Sequence, residues 1–191
     1  HAGGLQSLLD RYPSPTYSLN LPARDSGNSG CGTPLEWHWK GTMFQALHPT
    51  PALPYLGNDS SCVLSVRAGS SGLLLPGDIS KVVENRLSLQ EIEHHSVLIV
   101  PHHGSKTSSS EEFILQVRPA VAIATASLGN RFGCPRAEVR RRYEKAGVSF
   151  WATGECGALR LYLHPDGNHA ASSARRLRER IWRWPASDNC P

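Results

Sequence analysis

The run from Val97 to Val100 holds four apolar residues and ends at Pro101 and two adjacent histidines. A short, wholly apolar run of this kind is typical of a strand that is buried on both faces, and it constrains the fold more than any other part of the sequence. A second such run covers Val121 to Ala126, and helical patterns cover Glu111 to Val117 and Pro135 to Ala146. This half of the chain therefore predicts buried strands that alternate with helices.

The first half of the chain is richer in strand patterns. Leu35 to Leu47 is aromatic-rich and alternates around a Lys-Gly pair, which predicts a β-hairpin. Cys62 to Arg67 and Leu73 to Leu75 flank a Gly- and Ser-rich stretch and predict a second hairpin, and the apolar stripe from Ile79 to His94 predicts one helix. Strands first, then alternating helices and strands, predict an α+β fold in which helices cover the outer faces of two packed sheets.

The composition restricts the possible fold and function less than these patterns do. The 191 residues carry a formal net charge of +4, which permits an anionic partner without requiring one. The sequence contains no apolar stretch of about 18 residues and no recognisable signal peptide, so it predicts no membrane span within this chain. The five cysteines form no C-x-x-C pair. They favour buried, inert thiols, while one or two disulfides would suit an oxidising compartment.

Candidate metal ligands stand next to predicted strands or glycines. Asp78 follows the apolar run that ends at Leu75, His102 and His103 follow the strand that ends at Val100, and His1 precedes a Gly-Gly pair. Strand ends suit metal ligands because a rigid sheet fixes the direction of the side chain. Imidazole and carboxylate together suit zinc or manganese, and a carboxylate that bridges two ions suits phosphoryl chemistry.

Each candidate also has a simpler interpretation. A histidine at the start of a chain is usually solvated, and Asp78 could cap a helix that begins at Ile79. Adjacent histidines at a strand end have fewer structural uses. Ser105, Lys106 and Thr107 could bind a phosphate, or they could cap the helix that begins near Glu111.

Two groups of arginines suggest an anionic partner. Four interpretations of these groups remain open: they contact phosphates, stack on single-stranded bases, bind an anionic membrane surface, or simply solvate helix faces. The first group surrounds one predicted helix, and the second lies on a predicted helix from Ala174 to Trp184. The groups are Arg131, Arg136, Arg140, Arg141 and Arg142, and then Arg175, Arg176, Arg178, Arg180 and Arg183 beside Trp182 and Trp184.

Several motifs together resemble one family. The run GNDSSCVLSVRAGSSGLLLPGDI from Gly57 to Ile79, the run PHHGSKTSSS from Pro101 to Ser110 and the run NRFGCPRAEVRRRYEKAGV from Asn130 to Val148 fall in the order found in that family. The opening HAGGL resembles the end of its first metal motif, H-x-D-x-D-H-x-G-G. The chain is similar to the C-terminal metallo-β-lactamase-like domain of the bacterial DNA-uptake protein ComEC.

The resemblance implies a fold and a set of roles. The fold would be a four-layer αββα metallo-β-lactamase-like sandwich over residues 1–165, truncated at its N-terminal edge, where the first strand and most of the first metal motif are missing. A basic C-terminal helix and tail would follow over residues 166–191. Asp78 would be a bridging metal ligand, and His1 and His103 would be further ligands. His102 would donate a proton or contact substrate, and Ser105 and Lys106 would hold the phosphate.

Cys134 departs from the family pattern. It stands in Gly-Cys-Pro where many relatives have Gly-His-Pro. Its thiolate could bind zinc in place of the histidine, or it could mark a site that has lost its metal.

The implied activity is metal-dependent phosphodiester cleavage by the extracytoplasmic, soluble domain of an inner-membrane channel protein during natural transformation. Partners would be single-stranded DNA, bound without sequence preference, and the channel part of the parent protein, with no small-molecule cofactor. The family uses two divalent ions, zinc or manganese, but we expect this chain to be inactive and to hold metal weakly or not at all. Two alternatives stay open: a non-catalytic DNA- or partner-binding domain with a decayed metal site, and a hydrolase of a small ester or lactone.

Overall fold

The computed structural model describes residue 11 and residues 35–50, 56–87, 89–92, 94–177 and 185–191. These residues form nine strands and six short helices, joined in part by 3-10 turns at Gly57–Ser60 and Pro101–Gly104. The strands are β1 Leu35–Trp39, β2 Thr42–His48, β3 Val63–Ala68, β4 Ser71–Leu75, β5 Val97–Ile99, β6 Val121–Ala124, β7 Ser149–Ala152, β8 Leu159–Leu163 and β9 His169–Ser173. The helices are α1 Lys81–Glu84, α2 Leu89–Ile92, α3 Glu111–Val117, α4 Ala137–Lys145, α5 Thr153–Cys156 and α6 Ala174–Leu177.

The first seven strands form one mixed sheet in the order β1-β2-β3-β4-β5-β6-β7. Strands β1 to β4 pair antiparallel, whereas β4 to β7 pair parallel. The two predicted hairpins are confirmed as β1–β2 and β3–β4. Residues Lys40 and Gly41 turn the first hairpin with φ angles of 47° and 78°, the left-handed pair that a tight two-residue hairpin turn requires.

The sheet carries an apolar cluster on each face. On one face, Leu74, Leu98 and Ala122 pack with helix residues such as Phe113 and Tyr143. On the other face, Val97 and Val121 pack with Leu159, Leu161 and Leu163 of β8, which pairs antiparallel with β9. Helices, a large sheet and a small sheet thus form successive layers. The α+β class is confirmed, and the layers are compatible with a sandwich.

One sequence prediction about secondary structure was wrong, and one strand was not predicted. The single helix expected from Ile79 to His94 is two short helices, α1 and α2, because the chain leaves the helix in a turn at residues 85–87. The predicted basic tail includes a strand, β9, which pairs with β8 across residue 165. Its sequence, HAASS, has too few large apolar residues to be recognised alone. The predicted helix from Ala174 begins there as α6, and residues 178–184 lie outside the described part.

Three cysteines form disulfides, whereas the sequence favoured buried, inert thiols. Cys156 and Cys190 form a disulfide that ties α5 to the C-terminal tail, and both are almost fully buried. Cys62 is also disulfide-bonded. Cys134 is a free, half-buried thiol. Cysteine pairing depends on the folded distances between residues, so the sequence alone could not give it.

Candidate functional site

Asp78 lies in the loop that follows β4, and its neighbours fix its position. Its backbone N–H donates to the hydroxyl of Ser61 over 3.1 Å. The preceding Gly77 has a φ of 62°, and a Cβ at that position would lie 2.7 Å from the Cβ of Ser61. The helix that follows is capped by Ser80, whose hydroxyl accepts from the N–H of Val82. Asp78 is therefore not the helix cap, and its carboxylate stays available to the cleft.

His103 meets Asp78 from the neighbouring strand β5. Its Nε2 lies 3.6 Å from Oδ1 of Asp78. Its Nδ1 lies 2.8 Å from the carbonyl oxygen of Thr125, which follows β6, so Nδ1 carries the proton and donates it. In the neutral imidazole with this tautomer, the lone pair of Nε2 lies on the side of Asp78, the arrangement that a metal-binding imidazole requires. The carboxylate and imidazole that we expected to share an ion are thus close enough to do so.

The histidine turn has an unusual backbone. His102 and His103 have φ angles of 48° and 57°, and Gly104 continues with 85°. Left-handed residues other than glycine cost about 1–3 kcal/mol each and persist only where the surrounding structure holds them. The N–H of His102 donates to the carbonyl of Gly77, and the carbonyl of Gly104 accepts from the N–H of Arg136. Strain of this kind is common at functional sites.

His102 belongs to a polar chain beside the pair. The amide Nδ2 of Asn58 lies 3.3 Å from its Nε2, and Oγ1 of Thr107 lies 3.5 Å from its Nδ1. The hydroxyls of Thr107 and Ser105 are 3.1 Å apart. The cap of α3 is Ser110, whose hydroxyl accepts from the N–H of Phe113. Ser105, Lys106 and Thr107 therefore do not cap that helix.

A cleft of about 570 Å³ joins these groups. Among its described lining residues Asp78 is the only acidic side chain, whereas Lys106 and Arg136 are cationic. Most of the predicted site residues meet here: Asp78, His102, His103, Ser105, Lys106 and Cys134. The cleft also contains Arg136 of the first arginine group, whereas the sequence analysis missed Asn58, Thr125, Asn130 and Phe132. Thr125 could have been found, because it follows a buried strand next to the histidine strand.

A buried polar network supports the loop from Ser108 to Ser110. The Glu84 side chain is fully buried and accepts from the N–H of Ser109 over 2.5 Å and from the N–H and hydroxyl of Ser110 over 2.9 and 2.8 Å. Tyr143 donates its hydroxyl to Ser109, and Arg142 donates to the carbonyls of Ser108 and Ser109. Burial raises the pKa of the Glu84 carboxyl, although the hydrogen bonds from Ser110 and Ser109 act in the opposite direction.

The other wall of the cleft is the Asn130 loop, which we define as residues 127–134. The Asn130 amide Nδ2 donates to the carbonyls of Ser127 and Cys134, and its Oδ1 accepts from the N–H groups of Phe132 and Cys134. All the hydrogen bonds of this side chain stay within the loop. The loop is thus held in one shape by one side chain.

Of the four predicted metal ligands, Asp78, His103 and Cys134 belong to the part of the chain that the structure describes, whereas His1 lies outside the described residues. Within the described ranges, no three His, Cys, Asp or Glu side chains come together as a metal-binding group. Asp78 and His103 form a close pair, and Cys134 lines the same cleft. The pair suits a divalent ion by ligand type and by the fixed tautomer of His103.

The first arginine group is not one solvated patch. Arg140 forms a salt bridge with Glu155, and Arg142 holds the buried serine loop. The guanidinium of Arg131 lies 4.6 Å from the ring centre of Phe132, and Arg136 lines the cleft. In the second group, Arg176 donates to the carbonyl of Cys190, and Arg178, Arg180, Arg183 and both tryptophans lie outside the described residues.

No helix among the described residues is long and apolar enough to cross a bilayer.

No protein-family model matches the chain. The chain is 33% identical over 170 residues to Recombination protein 2 of Haemophilus influenzae, which covers 87% of this chain and 21% of that protein. It is 32% identical over 186 residues to the competence protein ComA of Neisseria gonorrhoeae, covering 96% of this chain and 26% of that protein. It is 33% identical over 121 residues to ComE operon protein 3 of Bacillus subtilis, covering 63% and 16%.

The chain thus spans a quarter or less of the length of most of these relatives, and the similarity to all three is of the same order. Two of the three names refer to competence or to a Com operon, and the third refers to recombination. The predicted resemblance is confirmed: the chain belongs to the ComEC family of competence proteins and fits the C-terminal domain of such a protein.

Proposed function

We propose that this chain is the DNA-processing domain of a DNA-uptake protein and that in the parent protein its cleft, completed by the residues that precede it there, hydrolyses phosphodiester bonds in single-stranded DNA with the help of divalent metal. The observation that carries the proposal is the 3.6 Å approach of His103 Nε2 to Asp78 Oδ1 in a cleft with cationic walls. The names of the relatives, which refer to competence and recombination, support DNA as the partner.

Asp78 and His103 would hold the ion, with His1 as a further ligand. A divalent ion in such a site lowers the pKa of water and neutralises charge on a phosphate. The ammonium of Lys106 and the hydroxyl of Ser105 would bind the phosphate oxygens, because both groups donate hydrogen bonds to anions. His102 would contact the leaving oxygen or donate a proton to it. The role of Thr125 would be to keep the Nε2 of His103 free of a proton.

A second function is favoured by two features. Within the described residues, no three metal-capable side chains lie together, and Cys134 stands where the family resemblance implies a histidine. A domain with a decayed metal site that only binds DNA or the channel would have these features. The two functions make different predictions about cleavage but the same prediction about DNA binding.

The location of the domain is also a proposal. Disulfides persist in oxidising compartments and are rare in the cytosol. The Cys156–Cys190 bond and the disulfide at Cys62 therefore support a place on the periplasmic side of an inner membrane, next to the channel part of the parent protein.

The test is cleavage of a labelled single-stranded oligonucleotide by the chain joined to the residues that precede it in the proposed parent, with manganese or zinc added. We expect Asp78→Asn and His103→Gln each to lower the rate by at least about 10-fold, because both remove a metal ligand. Asp188→Asn and His169→Gln make the same chemical changes at exposed positions outside the cleft and should leave the rate unchanged.

Equal cleavage by all five proteins would refute the assignment of the site. DNA binding by the wild type without any cleavage in either metal would favour the non-catalytic function.

A further inference from the structure

The Asn130 loop presents an aromatic ring to the cleft. Phe132 is 60% exposed, although large apolar side chains are usually buried, and it lines the same cleft as Asp78 and His103. The neighbouring Arg131 places its guanidinium 4.6 Å from the ring centre. The loop therefore combines a planar apolar surface with a planar cation.

The loop is built to hold this ring in place. The Nδ2 and the Oδ1 of Asn130 both form hydrogen bonds inside the loop. One of them joins the N–H of Phe132 to Oδ1 over 3.2 Å. The N–H of Gly133 also donates to the carbonyl of Asn130. Fixing the backbone in advance lowers the entropy lost when a ligand binds, so a ring on this loop is better placed for recognition than one on a mobile loop.

The charges beside the ring favour an anionic ligand. Lys106 and Arg136 line the cleft, and Asp78 is the one acidic lining side chain in the described ranges. Aromatic rings beside a cationic groove are the features by which proteins bind single strands without reading their sequence, since every base has a face that can stack. A duplex keeps its bases stacked on one another and cannot offer a face to Phe132.

We propose that Phe132, held by Asn130 and flanked by Arg131, stacks on an unpaired base and selects single-stranded over double-stranded DNA at this cleft. The inference rests on the proposed function, since it concerns the substrate of the same cleft. Lys106 and Arg136 then contact the adjoining phosphates, so that stacking contributes strand selectivity and the cations contribute salt-dependent affinity.

The test measures binding of the 191-residue chain to a labelled oligothymidylate and to a duplex of the same length, with chelator present so that no cleavage interferes. Phe132→Ala should weaken binding of the single strand by about 5- to 150-fold, the range for loss of one base stack. Phe132→Tyr, which keeps a ring, should bind like the wild type. Binding of the duplex should not change in either variant.

A matched control is available at the far end of the sheet. Trp39 is 63% exposed with the Lys40 ammonium 5.3 Å from its ring centre, but β1 runs antiparallel to β4, so this ring lies at the opposite end from the cleft. Trp39→Ala should leave single-strand binding unchanged. Lys106→Ala should weaken binding to both DNA forms and lower the salt dependence.

Three results would overturn the inference. If Phe132→Ala binds the single strand as tightly as the wild type, or loses affinity for the single strand and the duplex to the same extent, the stacking role is removed while the proposed function stands. If the wild type binds neither DNA, the inference and the proposed function both fail. Equal melting temperatures of the wild type and Phe132→Ala establish that a loss of binding is not a loss of folding.

Discussion

Gly104 joins the histidine turn to the Gly-Cys-Pro loop, and Gly104→Ala tests how tightly the two are packed. The φ angle of Gly104 is 85°, and a Cβ there would lie 2.6 Å from the Cβ of Pro135 and 2.9 Å from its Cα. An alanine in the left-handed region costs about 1–2 kcal/mol. Forcing a methyl group into a packed contact costs about 1–3 kcal/mol more. The expected loss in the free energy of unfolding is therefore about 2–5 kcal/mol.

Gly147 provides the matched control, because its φ angle is 75° and a Cβ there would meet no atom within 4 Å. Gly147→Ala should cost only the backbone term of about 1–2 kcal/mol. Urea denaturation of the wild type, Gly104→Ala and Gly147→Ala at the same pH gives the loss in the free energy of unfolding for each variant. If Gly104→Ala is no less stable than Gly147→Ala, Pro135 does not pack on the histidine turn as described, and the two halves of the cleft are not coupled.

Two further predictions concern stability. Burial raises the pKa of Glu84 from its usual 4.5, so the folded state holds this proton more tightly than the unfolded chain, and the free energy of unfolding should fall as pH rises from 4.5 through the raised pKa. Glu84→Gln should flatten this part of the plot of the free energy of unfolding against pH, as measured by urea denaturation. Parallel plots for the wild type and Glu84→Gln would contradict this prediction. The Cys156–Cys190 disulfide joins residues 34 apart, so Cys156→Ala with Cys190→Ala should cost about 2–4 kcal/mol, and unchanged thermal melting would show that the bond does not stabilise the fold.

Asp78 and His103 could be identified as candidate site residues because each depends on a local pattern, and the family resemblance implied that they share a metal site. Each follows a short apolar run that reads as a buried strand, and the runs pair as parallel neighbours in one sheet. The carboxyl ends of parallel strands open at the same edge, which is where such folds place their sites. Position after a strand therefore identified each residue, whereas the parallel pairing of β4 with β5, which the sequence analysis did not predict, brings the two side chains together.

The Asn130 loop could not be predicted in the same way. Its shape depends on four hydrogen bonds from one amide side chain, and such bonds leave no period in the sequence. The pairing of β8 with β9 was missed for a related reason, since a strand such as HAASS is stabilised by its partner and not by its own propensity. The Ser80 cap likewise lay within two residues of Asp78, and only the backbone geometry separates the capping residue from the free carboxylate.

The central claim is that Asp78 and His103 hold one metal ion between them. The most direct measurement is the zinc and manganese affinity of the chain joined to the residues that precede it in the proposed parent, determined by calorimetric titration alongside Asp78→Asn and His103→Gln. We predict that each substitution weakens binding by more than about 10-fold and that the double variant binds no ion at this site. Unchanged affinity in both single variants, or no binding by the wild type, would contradict the claim.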